Sequence, residues 1–327
     1  MARIILHIGT HKTATTHIQD SLHANRKRLK QHGVIFPHIG QTRGQHGLAS
    51  AWIKLPMPYS LTDAERSWKR LARVYGPGEH TVVVSSEELS RLRPHRVNMA
   101  QLRDWLQGFD EIRILCCLRN QASFLQSVYQ QVSDERQPGH WVPYLQAALR
   151  SRMVDGLALN YARLVSHIET GFAPDEITLL SYDHAIRTPG GILGAVLAAI
   201  NCPLTAADLS ASPHGTSNIS PPPLASFAAN GIALPARAEA GLVHLAARHL
   251  PRPNRTTLFS RPELAQIRAL FDPLNRALEN SRASVQPGFR IGPMLGSEAP
   301  EHELMFRGEL TETYWIDLAR ALRSAQR

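Results

Sequence analysis

The chain has 327 residues, 43% hydrophobic and 19% charged, which is the balance of an ordinary globular protein and excludes a disordered or fibrous one. That length suits one large α/β domain with appendages. The formal charge of +9 favours an anionic partner, but the basic residues are spread without a block, so charge alone leaves nucleotide and nucleic acid both open.

The amino terminus enters an apolar run at once, Arg3-Ile4-Ile5-Leu6-His7-Ile8, with no charged-then-apolar leader, so secretion is not expected. The run reads as a buried strand ending at Gly9-Thr10. A helix is expected from about Ala14 to Gln31, with Ile18, Leu22 and Leu29 at turn spacing and Gly33 as its stop. Residues 37 to 60 scatter glycine, proline, histidine and aromatic residues and read as a loop-rich insertion, with Trp52 and Tyr59 read first as packing residues and second as rings that stack on a sugar. A second strand, Thr81 to Ser85, opens into the charged turn Ser86-Glu87-Glu88. A third, Ile112 to Leu118, ends at Arg119-Asn120 and leads into a helix carrying Phe124, Leu125 and Val128. A fourth, Ile177 to Ser181, delivers Tyr182-Asp183 and is followed by an apolar helix, Ile192 to Ile200. That stretch is about half the roughly 20 residues needed to span a bilayer, so no transmembrane segment is expected, with peripheral membrane contact left open.

These strands show no in/out alternation, as strands covered on both faces should, and they alternate with helical patterns. A three-layer α/β/α core with a central parallel sheet follows. Beyond Ser212 the chain turns proline-rich and then helical, around Glu263 to Asn280 and Thr311 to Arg323. The expected division is a core at 1–212 and a helical carboxy-terminal extension at 213–327. Three cysteines, two of them the neighbours Cys116 and Cys117, exclude a disulfide framework and lack zinc-site spacing. Buried thiols in a reducing, cytoplasmic setting are the expectation.

The most informative segment is Leu6-His7-Ile8-Gly9-Thr10-His11-Lys12-Thr13-Ala14-Thr15-Thr16. It joins a buried strand to a helix through small residues, a lysine and hydroxyls, which is how backbone N–H groups and a helix's positive end are aimed at one oxyanion. The ATP-binding pattern G-x-x-x-x-G-K-[ST] fails here, because His11 precedes Lys12 and Leu6 stands in place of the first glycine. The segment instead resembles the 5′-phosphosulfate loop of sulfotransferases that use 3′-phosphoadenosine 5′-phosphosulfate (PAPS), especially the bacterial type with histidine before the lysine. Ala14 occupies that family's glycine position, so its backbone is expected to avoid a strongly positive φ.

The resemblance implies a P-loop, sulfotransferase-like fold and a site in two halves. His11, Lys12, Thr13, Ala14, Thr15 and Thr16 would hold the 5′-phosphosulfate, with Lys12 on the leaving oxygen. Arg119 at a strand end and Ser127 eight positions on would hold the 3′-phosphate, and Tyr182 would lie near the adenine. In chain order the family's base falls between the two halves, which makes Glu87 the first candidate, Glu88 the second and His46 the third. Asn218-Ile219-Ser220 matches a further segment of the bacterial relatives. PAPS as co-substrate, 3′-phosphoadenosine 5′-phosphate (PAP) as product, no metal, no nucleic acid and a carbohydrate or glycolipid hydroxyl as acceptor are implied with it. Taken singly, Arg119 reads equally as a surface ion pair and either glutamate as a carboxylate facing a helix dipole. An ATP-dependent P-loop kinase and a non-catalytic nucleotide-binding protein are the competing readings.

Overall fold

The computed structural model describes residues 1–211, 220–295 and 304–325; of Asn218-Ile219-Ser220, the first two lie outside them. The chain forms two compact units whose stretches interleave: Met1–Arg119, Asp155–Ser217 and Leu274–Gly292 in one, and Asn120–Val154, Asn218–Pro273 and Pro293–Arg327 in the other.

The first unit is built on the apolar runs. Strands β1 (Arg3–His7), β2 (Val34–Ile35), β3 (Thr81–Ser85), β4 (Glu111–Leu118) and Ile177–Ser181 form a five-stranded sheet in the order β2, β3, β1, β4, Ile177–Ser181. All its pairings are parallel, with Ile4 opposite both Val82 and Ile112, and Cys116 opposite Leu179. Neighbouring residues of one strand serve opposite faces. Ile4, Leu6, Val82, Val84, Ile114 and Leu179 pack with Trp68 and Leu71 of α3 (Ala64–Tyr75), Leu102 of α4 (Met99–Trp105) and Leu164 of the helix Tyr161–Ile168. Ile5, Val83, Leu115 and Cys117 pack instead with Ile18 and Leu22 of α1 (Thr15–Ala24), Leu29 of α2 (Arg26–Gln31) and Val196 of the helix Gly191–Ala199. Helices on both faces make the expected three layers, and each fully buried aliphatic side chain contributes about 1.5–3 kcal/mol. Burial on the two faces also explains the thiols: Cys116 is pushed up to about 12 and Cys117 is raised further, so both stay protonated.

The structure differs from the sequence expectation at three local points. The helix expected over 14–31 is two helices, because buried Asn25 turns its amide to other work. It donates to the carbonyls of Ser21 and Ser210 at 2.9 and 3.0 Å and accepts from the Ser210 N–H at 2.9 Å. Strand β2 has only two residues after the left-handed Gly33, too short for any periodic signal. The outer strand Ile177–Ser181 does not leave its edge bare: the Gln286 side chain accepts from Leu179 N at 2.9 Å and donates to Leu179 O at 2.7 Å. A side-chain amide thus stands where a further strand would pair.

The second unit is helical. It includes α5 (Gln121–Glu135) and the helices Trp141–Ser151, Pro223–Ala233, Ala240–Arg248 and Glu312–Ala325, with a small core of Leu224, Ala225, Ala228, Ala246, Tyr314 and Leu318. Trp141 sits edge-on to both Tyr129 and Phe259. Among the described residues no helix is long and apolar enough to cross a membrane.

Candidate active site

Strand β1 lies between β3 and β4, and the chain crosses to one side of it before returning to the other. Such a switch point opens a crevice beyond the carboxyl ends of the strands, where α/β sheets hold their ligands. The turn from β1 to α1 stands there. Thr10 anchors it to the neighbouring strand, its N–H and hydroxyl both donating to the Cys117 carbonyl at 2.9 and 3.1 Å. Thr13 folds the turn back on itself by donating its hydroxyl to the Thr10 carbonyl at 2.6 Å. Position 9 is tightly enclosed: a Cβ there would stand 3.0 Å from His7 Nε2, 3.1 Å from Thr13 Oγ1 and 3.2 Å from Cys117 Cβ, so a larger residue would force its neighbours to shift.

Lys12 and Ala14 both adopt left-handed backbone, with φ of 63° and 59°. This corrects the expectation for Ala14. The alanine takes the conformation that glycine would take, in a turn held by the Thr13 hydroxyl on the Thr10 carbonyl and by Arg119 on the Lys12 carbonyl. Two non-glycine residues in this region cost about 1–2 kcal/mol each. Strain of this kind persists only where the surrounding structure over-determines it. Ala14→Gly should therefore stabilise the protein. Relief of about 1–2 kcal/mol, less the roughly 0.4–1 kcal/mol by which glycine favours the unfolded chain, leaves a gain of up to about 1.6 kcal/mol, read from the denaturant midpoint at unchanged slope. A lower midpoint would contradict the strain.

Helix α1 begins at Thr15 with no side-chain cap bond and no acidic residue in its first turn. Its leading N–H groups, with the positive end of the dipole, are left facing the turn. Arg119 braces this turn from the end of β4, donating from Nη1 to the Lys12 carbonyl at 3.0 Å, with its guanidinium 4.9 Å above the Tyr182 ring. The hydroxyl of buried Tyr161 donates in turn to the Arg119 carbonyl. The structure therefore brings Lys12, Arg119 and Tyr182 together. Thr13 and Thr15 are buried in the turn and Thr16 is exposed. Ser127 is buried on α5, in the second unit.

The three base candidates gather beside the turn. Glu87 and Glu88 start a single 3-10 turn, Glu87–Ser90, directly after β3. Glu87 Oε2 accepts from Gln19 Nε2 of α1 at 3.0 Å and lies 3.6 Å from His46 Nδ1. Glu88 is paired with Arg91 Nε at 2.9 Å and lies 3.5 Å from His11 Nε2. Burial presses the Glu87 carboxyl upward, but His46, His11, its own backbone N–H and Gln19 outweigh it and hold the group below its ordinary range. Burial also lowers His11, against the pull of Glu87 and Glu88. His7, fully buried with Nδ1 2.8 Å from Ser85 Oγ, is lowered by burial to about 4 and is neutral beneath the turn. Tyr59 stands edge-on to His46 with ring centroids 5.5 Å apart, while Trp52 stacks on Trp105 at 5.0 Å. Among the described residues no group of three or more His, Cys, Asp or Glu is arranged to hold a metal ion.

Sequence reasoning missed His7, Gln19, Gln45, Arg91 and Tyr161. His7 alone carried a signal, as a polar residue closing an otherwise apolar strand.

No protein-family model and no curated protein matches the chain. Solved structures do match. One is a sulfotransferase from Alicyclobacillus acidocaldarius, 17% identical, covering 82% of this chain and 95% of that one, with a TM-score of 0.40. Another is the sulfotransferase domain from the Synechococcus PCC 7002 olefin synthase, 15% identical, covering 76% of this chain and 95% of that one, with a TM-score of 0.31. Both are sulfotransferase structures.

Proposed function

We propose that the chain transfers a sulfuryl group from PAPS to a hydroxyl acceptor, with a carbohydrate or glycolipid as the acceptor class and PAP as the second product. One observation carries the reading: the β1–α1 turn holds Lys12 and Ala14 in left-handed backbone and runs into an uncapped helix start at the switch point of the sheet. That is the construction of an anion cradle, and the Walker glycine that ATP-binding turns use is absent from it.

In this reading the acceptor oxygen bonds to sulfur as the sulfur–oxygen bond to the 5′-phosphate breaks in line. The acceptor proton passes to Glu87, and the electron pair of the broken bond goes to the phosphate oxygen. Lys12 and the N–H groups of residues 13–16 stabilise that oxygen, and transfer of this kind rests mainly on positioning and charge. Arg119 takes the 3′-phosphate and Tyr182 takes the adenine. Lys12 and the backbone amides supply the positive charge toward the leaving group.

Calorimetry with PAP, and with ATP in the presence and absence of Mg²⁺, tests the assignment. Metal-independent binding of PAP at least about tenfold tighter than ATP, a difference of ~1.4 kcal/mol, is expected. Tighter binding of Mg²⁺–ATP would select a kinase and overturn the reading. PAP binding without transfer to any hydroxyl acceptor would select a nucleotide-binding protein.

A further inference from the structure

We propose that Gln45 is a positioning residue: it docks the segment at 37–60 onto the end of β3 and thereby sets His46 against Glu87. The proposal deepens the transfer reading and rests on it for the role of Glu87.

Strand β2 ends at Ile35, opposite Val82, so the last residues of β3 have an open edge on that side. Gln45 fills it. Its N–H donates to the Ser85 carbonyl at 2.9 Å, and its side-chain Oε1 accepts from the Ser85 N–H at 2.7 Å. Its Nε2 donates to the Pro37 carbonyl at 2.7 Å, closing the segment on itself. The residue is fully buried, and its backbone N–H and side chain together do for Ser85 what the Gln286 side chain does for Leu179 on the opposite edge of the sheet.

Docking at position 45 determines where position 46 goes. His46 Nδ1 comes to 3.4 Å from Ser86 Oγ and 3.6 Å from Glu87 Oε2. Anchors on either side keep the segment from pivoting. Arg43 Nη1 pairs with Asp20 of α1 at 2.8 Å, and a Cβ on Gly44 would stand 2.5 Å from the Gln19 side chain. Beyond His46, the Leu48 carbonyl accepts from Trp68 Nε1 at 3.0 Å. Gln45 is the anchor next to the histidine, and its amide bonds are not replaceable by packing.

The charged and titratable groups around Glu87 are His46 from the segment, His11 from the turn, His7 from β1, and Glu88 with Arg91 on its own turn; Gln19 of α1 adds a neutral donor. Of the groups that hold the carboxyl low, His46 contributes most. Undocking it should raise the carboxyl, which a general loss of packing elsewhere would not do.

Gln45→Met keeps the volume and removes both side-chain bonds. Carboxyl titration of the glutamate-labelled protein by ¹³C NMR, with the signal assigned through Glu87→Gln, should show the Glu87 midpoint moving up in Gln45→Met. His46→Ala should raise it in the native background and add nothing in Gln45→Met. In turnover, kcat should fall roughly 10- to 100-fold, the loss typical of a misplacement near 1 Å, with PAP affinity unchanged and the acid limb of the pH profile shifted upward. Gln45→Asn keeps the amide but shortens its reach, and gives the same signs if the Met variant does not fold. An unmoved Glu87 midpoint, or an equal His46→Ala shift in both backgrounds, overturns the proposal. Absence of PAP binding by the unmodified protein would instead defeat the transfer reading, and the NMR titration would still decide the role of Gln45.

Discussion

Lys12→Ala should lower sulfuryl transfer by about 10²–10³-fold, or ~2.7–4 kcal/mol in the barrier, while weakening PAP binding far less. The asymmetry follows from where charge develops. On the proposed reading, PAP would present a 5′-phosphate to the turn and the helix start, where several N–H groups would hold it, so losing one cation should leave most of that binding. In the proposed transition state the bridging oxygen gains charge as sulfur departs, and Lys12 is the cation assigned to it. Alanine keeps the side-chain Cβ, so the left-handed strain at φ 63° persists and the variant reports the ammonium rather than a relaxed backbone. Lys12→Arg should not rescue, because a planar fork does not replace a compact point charge. Steady-state rates with labelled PAPS beside PAP calorimetry separate the two effects. Transfer at the native rate in Lys12→Ala would remove the lysine from the mechanism.

The parts legible in the sequence were those whose signal is local. Strands covered on both faces must be continuously apolar, so Ile4 to Leu6 or Val82 to Val84 announced a parallel sheet directly. The turn after β1 was legible because glycine, lysine and threonines between a strand and a helix have few other uses. Glu87 stood out in the sequence because it follows a strand on the side where ligands collect, and the structure sets it beside the turn. What was not legible depends on partners distant in the chain. Asn25 splits a helix to reach Ser210, and nothing around residue 25 records that bond. Gln45 looks like one polar residue in an irregular stretch, yet it completes the edge of β3 some forty residues later. Ala14 misled for a different reason. Alanine's own preference argues against left-handed backbone, and the turn, with Thr13 bonded back to Thr10 and Arg119 bonded to the Lys12 carbonyl, overrides that preference.

Glu87→Gln separates the base from the cradle. The amide retains an oxygen that can accept from Gln19 Nε2, now at 3.0 Å from the carboxylate, so the local shape is kept while the charge is lost. PAP affinity should stay within about twofold, since the cradle is formed by other residues, and transfer should fall by roughly 10²–10⁴-fold, the usual worth of a positioned general base. The pH profile supplies the sign. Burial presses Glu87 upward, but His46 and then His11 hold it below its ordinary range, so if Glu87 is the base, as proposed, transfer should persist down to mildly acidic pH and fall below that. In Glu87→Gln the residual rate should lose that acid limb altogether. Glu88→Gln is the control, because its carboxylate is already committed to Arg91 at 2.9 Å and its loss should leave the limb in place. A native rate in Glu87→Gln with a collapse in Glu88→Gln would exchange their roles, making His11, 3.5 Å from Glu88, the histidine beside the base in place of His46.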